Sequence, residues 1–225
     1  MTPIKIFILV ITFTAPLAAQ TRPNNDDIAG GIPREEVPLA VIWGLSAYSG
    51  FTTPYAPDAF ADFWKPSANI CLEADILLRN DFILGMSMSY TKLPFNQQEY
   101  WAHQGIMDDY PDVGFSDDFD IPISQVLFSF KGIENYLLHQ YRPVWEVGVG
   151  LYHLKNTEID VTYITNYDYV LSKSDRLYPG LFAGFGMSIL ITETLQFAVK
   201  GRFHHVLQLS RDHEFIEVLF GLKII

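Results

Sequence analysis

Cysteine is almost missing from this sequence: Cys71 stands alone among 225 residues. That excludes an internal disulfide and any metal site built on several thiolates. Positive charge is scarce too, with 15 Lys and Arg against 26 Asp and Glu and a formal net charge of −11. Nucleic acid is excluded as a partner on that ground, because a phosphate backbone requires a basic face. After the first turns of the chain there is no run of about 18 consecutive apolar residues, so no transmembrane helix is expected. No Gly-rich phosphate loop, zinc-binding helix motif or nucleophile elbow occurs. The triplets Gly148-Val149-Gly150 and Gly184-Phe185-Gly186 fall inside apolar alternation, where glycine eases crowding and bending. No cofactor and no metal site are expected.

What is present falls into three parts. Residues 1–19 have a short start with Lys5, an apolar stretch, and the small residues Ala18 and Ala19 before Gln20. This pattern reads as a cleaved export signal peptide. No cysteine follows it, so lipid attachment there is not expected. Residues 20–38 are rich in Pro, Gly, Asn and charge and read as a flexible leader. Residues 39–225 read as one domain whose period is two, not 3.6.

The stretch from Asn69 to Tyr90 shows the pattern most clearly. Ala68, Ile70, Leu72, Ala74 and Ile76 form one face, while Asn69, Cys71, Glu73 and Asp75 form the other. After Arg79-Asn80-Asp81, Phe82, Leu84, Met86, Met88 and Tyr90 oppose Gly85, Ser87, Ser89 and Thr91. Two alternating runs joined so tightly predict a hairpin. The same alternation recurs near Leu39–Tyr48, Gln125–Lys131, Trp145–Tyr152, Gly180–Ile189, Leu195–His204 and Ile216–Ile224, which gives eight strands.

The polar face decides which side is the interior. It is built of Gly and Ser, which suit a crowded lumen better than a wet exterior. Eight strands close around little more than their own side chains. The large Phe, Leu, Ile, Val and Trp side chains are therefore expected outside, facing hydrocarbon. The inward positions carry Glu73, Asp75, Glu146 and Glu217 against Lys131, Lys200, Arg202 and Lys223. Four acids and four bases form a balanced set, as enclosed charge requires. The expectation is a structural charge network inside a packed polar lumen, with no wide pore.

Connection lengths alternate. Those at Arg79–Asp81 and Thr192–Thr194 are tight, while those near 50–67, 94–120 and 156–177 are long. Outer-membrane barrels pair short periplasmic turns with long outward loops. Tyr48, Phe51, Trp64, Tyr90, Phe95, Tyr136, Tyr141, Trp145 and Tyr152 lie near strand ends, where interfacial aromatic girdles are expected. Taken with the export signal and the stretches PVWEVGVGLYHL, PGLFAGFGMSI, LQFAVKGRFHHV and FIEVLFGLKII, the chain resembles the small outer-membrane β-barrel domain family of Gram-negative bacteria, the OmpA/OmpX-like transmembrane barrels. It ends in Ile225, where many such proteins end in an aromatic residue. The resemblance implies an all-β, eight-stranded, antiparallel up-and-down transmembrane barrel in the cell outer membrane. It also implies a non-enzymatic role in surface interaction or envelope support. Expected partners are outer-membrane lipid and lipopolysaccharide, and the barrel-assembly machinery during insertion. The surface ligand is unspecified, and a monomer is expected.

Two stretches bear on other functions. The connection 94–120 holds Glu99, Asp108, Asp109, Asp112, Asp117, Asp118 and Asp120 without Lys or Arg between them. It reads as an acidic solvated loop, with divalent-cation binding as the alternative. His204 and His205 point to opposite faces, and Ser210 follows along the chain. A lipid deacylase or acyltransferase would need a histidine, a serine and an acid to converge, and spacing supplies no evident acid. A soluble lipocalin-like ligand-binding barrel is the remaining alternative and would require the apolar face to turn inward.

Overall fold

A computed structural model describes residues 41–78, 82–103, 119–133, 141–156, 159–162, 168–171, 174–208 and 212–225. The expected signal peptide, the leader, Ser210 and the acidic residues Asp108, Asp109, Asp112, Asp117 and Asp118 lie outside the described residues. The elements are β1 (Val41–Ala56), α1 (Asp58–Phe63), β2 (Ser67–Leu77), β3 (Phe82–Leu93), α2 (Gln97–His103), β4 (Ile121–Ile133), β5 (Tyr141–Asn156), β6 (Ile159–Thr162), β7 (Asp168–Leu171), β8 (Ser174–Leu190), β9 (Leu195–Val206) and β10 (His213–Ile224).

Eight of the strands close into a barrel in the order β1-β10-β9-β8-β5-β4-β3-β2. All neighbours are antiparallel. β6 and β7 form a separate two-stranded hairpin within the β5–β8 connection. Closure rests on β1, where Tyr48 stands opposite both Gly221 of β10 and Cys71 of β2. No barrel strand is left with an unpaired edge. Barrel strands run from 11 residues in β2 to 17 in β8, enough to cross a hydrocarbon layer at a tilt. Among the described residues, no helix is long and apolar enough to do so.

Burial follows the pleat. In β3 every second residue is covered: Ile83, Gly85, Ser87, Ser89 and Thr91 face inward, while Phe82, Leu84, Met86, Met88 and Tyr90 face outward. The outward set around the barrel includes Phe128 at 51% exposure, Val147 at 49% and Phe220 at 41%. Glu73 at 5% and Arg202 at 1% are inside. A soluble barrel has the reverse arrangement.

The two ends differ. At the turn end, the Leu78 amide donates to the Phe82 carbonyl, and the Ile191 and Thr192 amides donate to the Leu195 carbonyl. Thr192 Oγ1 accepts from the Leu195 amide at 3.1 Å, pinning that turn. At the loop end, β1 continues past Gly50 to Ala56, so the expected long connection from 50 to 67 narrows to 57–66. Gly50 marks a close approach of backbones: a Cβ there would fall 1.8 Å from the Val218 carbonyl oxygen. Within 57–66, α1 turns inward with Phe60 and Phe63 fully buried, followed by Trp64 at 1% exposure.

The packed polar lumen expected from the sequence holds in the turn-end half; in the loop-end half apolar packing dominates, with buried polar residues such as Thr91 and His213 among it. In the loop-end half, Phe60, Phe63 and Trp64 join Leu93, Ile121, Ile123, Leu127, Tyr152, Leu154, Phe182, Val206 and Phe215 in one apolar cluster. Inward positions there hold large side chains because α1 seals them from solvent. The expected girdle divides for the same reason. Phe51, Tyr90, Tyr141 and Trp145 are exposed outside, whereas Tyr48, Trp64 and Tyr152 are buried in the lumen and Phe95 packs against the cluster. Tyr136 lies outside the described residues.

Candidate functional site

Among the described residues, the lumen gathers a dense set of ionisable side chains. Alternation aims Glu73 and Asp75 of β2, Lys131 of β4, Glu146 of β5, Lys200 and Arg202 of β9, and Glu217 and Lys223 of β10 at the axis, and all eight are buried. Seven of them form one ion-pair set. Glu73 is its hub: Oε1 meets Lys131 Nζ at 2.7 Å, and Oε2 meets Lys200 Nζ at 2.5 Å and Arg202 Nη2 at 2.6 Å. Asp75 takes Lys131 on Oδ1 and Lys223 on Oδ2, each at 2.6 Å. Arg202 clamps Glu146 with Nε to Oε1 at 2.6 Å and Nη2 to Oε2 at 3.1 Å. Its Nη1 donates to Ser87 Oγ at 3.3 Å and lies 3.8 Å from Cys71 Sγ. Tyr48 carries Lys200 over its ring at 4.2 Å.

Glu217 stands apart from that set. Its Oε1 accepts from Gln125 Nε2 at 2.5 Å, and its Oε2 lies 3.1 Å from His204 Nε2. Gln125 Nε2 also contacts Ser89 Oγ, and His204 Nδ1 is 2.9 Å from the Tyr152 hydroxyl. The imidazole lies nearly parallel to the rings of Phe215, centroids 4.5 Å apart, and Phe182 at 5.7 Å. One hydrogen-bonded chain, Tyr152–His204–Glu217–Gln125–Ser89, thus spans the lumen where ions give way to aromatics. Tyr152, Gln125 and Ser89 were not legible as partners. Each looks like an ordinary inward residue until register brings it to the axis.

Above this layer the aromatic plug is held by backbone as well as packing. Lys65 N–H donates to the Pro94 carbonyl, Asn96 N–H to the Phe63 carbonyl, and Trp64 Nε1 to the Phe119 carbonyl at 3.0 Å. Phe95 stacks near Trp64, Tyr100 and Phe119 with centroids about 5.5 Å apart in each case. Asp120 is engaged by Lys92 at 2.7 Å and by the Phe95 amide at 3.0 Å, and Glu99 is exposed on α2. Among the described residues no group of His, Cys, Asp and Glu is arranged to hold a metal ion.

The barrel shape has solved counterparts. Neisserial surface protein A superposes with a TM-score of 0.54 at 12% identity, over 82% of this chain and 97% of that one. The fold is that of the small outer-membrane barrels. The N-terminal β-barrel domain of Pseudomonas aeruginosa OprF gives 0.42 at 10% identity, over 80% of this chain and 96% of its own. OprG from Pseudomonas aeruginosa gives 0.44 at 9% identity, over 80% and 94%. No family model matches the chain, and no curated protein matches it in sequence.

The barrel's outward face holds histidine–carboxylate pairs that the sequence did not disclose, His153 with Asp175 among them. His205 stands opposite Glu214 in the β9–β10 register, with Nδ1 2.9 Å from Glu214 Oε1 and Nε2 3.4 Å from Asp212 Oδ2. An acid partner therefore exists, nine residues along the chain and reached only through strand pairing. Among the described residues no serine or threonine hydroxyl contacts His205.

Proposed function

We propose that this chain is an integral outer-membrane protein of a Gram-negative cell envelope, exported by a cleaved signal peptide, with both termini on the periplasmic side. It is non-enzymatic, a monomer, and non-conducting. Lipid and lipopolysaccharide surround it, and the barrel-assembly machinery inserts it. Its outer connections carry surface interaction or envelope support. The lumen charge network of Glu73, Asp75, Lys131, Glu146, Lys200, Arg202, Glu217 and Lys223 is structural: it fastens strands across the axis. The observation that carries this reading is the inversion of burial, with large apolar side chains exposed on all eight barrel strands and ions enclosed. Such an exterior is stable only against hydrocarbon. The plug of Phe60, Phe63 and Trp64 supports a closed channel.

Fractionation of expressing cells, with gel migration of boiled and unboiled samples, tests it. Recovery in the outer membrane with a heat-dependent shift is the expected result. A detergent-free soluble protein would overturn it and favour a ligand-binding barrel. A second reading, a lipid-modifying enzyme, draws on the His205–Glu214 pair on the outward face. It requires acyl release from lipopolysaccharide or phospholipid by the purified protein and loss of that release in His205→Ala. Absence of any release in the intact protein removes it.

A further inference from the structure

Asp75 differs from the other acids of the ion-pair set in the bases it meets. Glu73 and Glu146 both bond to Arg202, whose permanent charge keeps them as carboxylates. Asp75 bonds to lysines: Lys131 Nζ of β4 lies 2.6 Å from Oδ1, and Lys223 Nζ of β10 lies 2.6 Å from Oδ2. A lysine can give up its proton and become a nucleophile, which a guanidinium does not do. All three side chains are buried. Burial makes separate charges costly, so passing one proton from Lys223 to Asp75 along their hydrogen bond gives a neutral amine against a neutral carboxyl. That pair is the reactive form. Lys131 keeps a second acid, Glu73 Oε1 at 2.7 Å, and so remains a donor on Asp75 Oδ1.

The backbone is shaped for this approach. Lys223 starts on β10 and crosses β1 to reach β2. Gly44 of β1 stands opposite Asp75, and a Cβ there would fall 2.6 Å from Lys223 Cε. The missing side chain leaves the lysine a path over the strand. A cavity of about 40 Å³ borders Asp75, Lys131 and Lys223. A water molecule needs about 10–15 Å³, so one released beside Asp75 has room.

We propose that Lys223 and Asp75 condense into an isopeptide bond that covalently joins β10 to β2 across β1. The Lys223 Nζ–Asp75 Cγ bond forms and the Cγ–Oδ2 bond breaks. Oδ2 leaves as water with two of the three protons of the original ammonium, and the third stays on the amide nitrogen. No oxidant, reductant or co-reactant enters. Lys131 polarises the carbonyl through Oδ1, which becomes the amide oxygen. One acid and one base are consumed together, so the charge balance of the lumen is kept. The first and last strands are then held by a covalent clasp as well as by their ladder. The bond depends on the lumen and not on where the barrel resides, so it is tested in detergent on the full chain.

The folded protein is denatured, digested and read by mass spectrometry, beside a sample kept in urea and never folded. A branched peptide is expected from the folded sample, joining the segment of Asp75 to that of Lys223 and lighter than their sum by one water. The never-folded chain is expected to give the two segments separately. Lys223→Arg keeps a cation beside Asp75 and should retain the heat-dependent gel shift while losing the branched peptide. Lys131→Met should lose most of that peptide although both joined residues are present. Separate segments at full mass from the folded protein would overturn the proposal. So would a branched peptide in the never-folded chain, one that joins Asp75 to Lys131, or an undiminished yield in Lys131→Met. If either variant does not fold, the peptides of the unaltered protein decide.

Discussion

The two halves of the lumen solve the same packing problem in opposite ways. Toward the turn end the interior is held by charge, with Glu73 contacting Lys131, Lys200 and Arg202 at 2.7 Å or less. Toward the loop end it is held by shape, with Phe60, Phe63, Trp64 and Phe215 buried to 1% exposure or less. The ionic half fastens every barrel strand that contributes to it, but only while each charge keeps its partner. The aromatic half tolerates partial loss, because apolar contacts are many and undirected. A small barrel can therefore place strict geometry where its turns are tight and adaptable packing where its connections are long.

Substitutions in each half sharpen that contrast. The largest effect is expected from Arg202→Met, which leaves Glu73 and Glu146 short of a partner in a buried site. A loss of about 3–5 kcal/mol is expected in urea unfolding of the detergent-solubilised barrel. Phe60→Ala removes a fully buried ring from the plug at about 3 kcal/mol. Because α1 lies in a connection, that loss should emerge as faster proteolysis within 57–66 while the heat-dependent gel shift is kept. If Phe60→Ala unfolds the barrel as readily as Arg202→Met, the two halves are not distinct. Gly148 lies between them on β5, and a Cβ there would fall 2.1 Å from the Phe128 carbonyl oxygen and 2.6 Å from the Phe182 ring. Gly148→Ala should cost about 2 kcal/mol by overpacking, read from the same unfolding curves. The smallest effect belongs to His153→Ala at the rim. Its 2.7 Å contact with Asp175 is solvent-exposed, and such pairs contribute about 0.5 kcal/mol or less. A large loss there would show that the rim is part of the interior's support.

Much of this was legible beforehand because a strand's period of two is printed directly in its residues. The outward run Phe82, Leu84, Met86, Met88 and Tyr90 and the inward run from Asn69 to Asp75 kept the faces their alternation predicts. The plug was not legible. Asp58-Ala59-Phe60-Ala61-Asp62-Phe63 is too short for a helical period to register, and Gly50 looked like a strand end when it marks a close backbone contact. Inward Leu127, Phe182 and Phe215 likewise broke the small-polar pattern, since alternation tells which face a residue takes but not how far along the axis it sits. Partnerships across the lumen were beyond reach for a different reason. His204 with Tyr152, or His205 with Glu214, depends on register and closure, which no local stretch encodes.

The ion pairs have one consequence in time. Lys223, two residues from the end of the chain, bonds to Asp75 across 148 positions, and Lys200 and Arg202 reach Glu73 across 127 and 129. The acids of the second strand meet Lys131 of β4 early, but their other counterions, on β9 and β10, are made much later, and contacts so distant in sequence form late. Until β10 docks on β1, the seam is open and those carboxylates are only partly neutralised. Sealing the wall completes the cancellation that Lys131 begins, so a chain that stalls on the way is marked by acids still exposed to water.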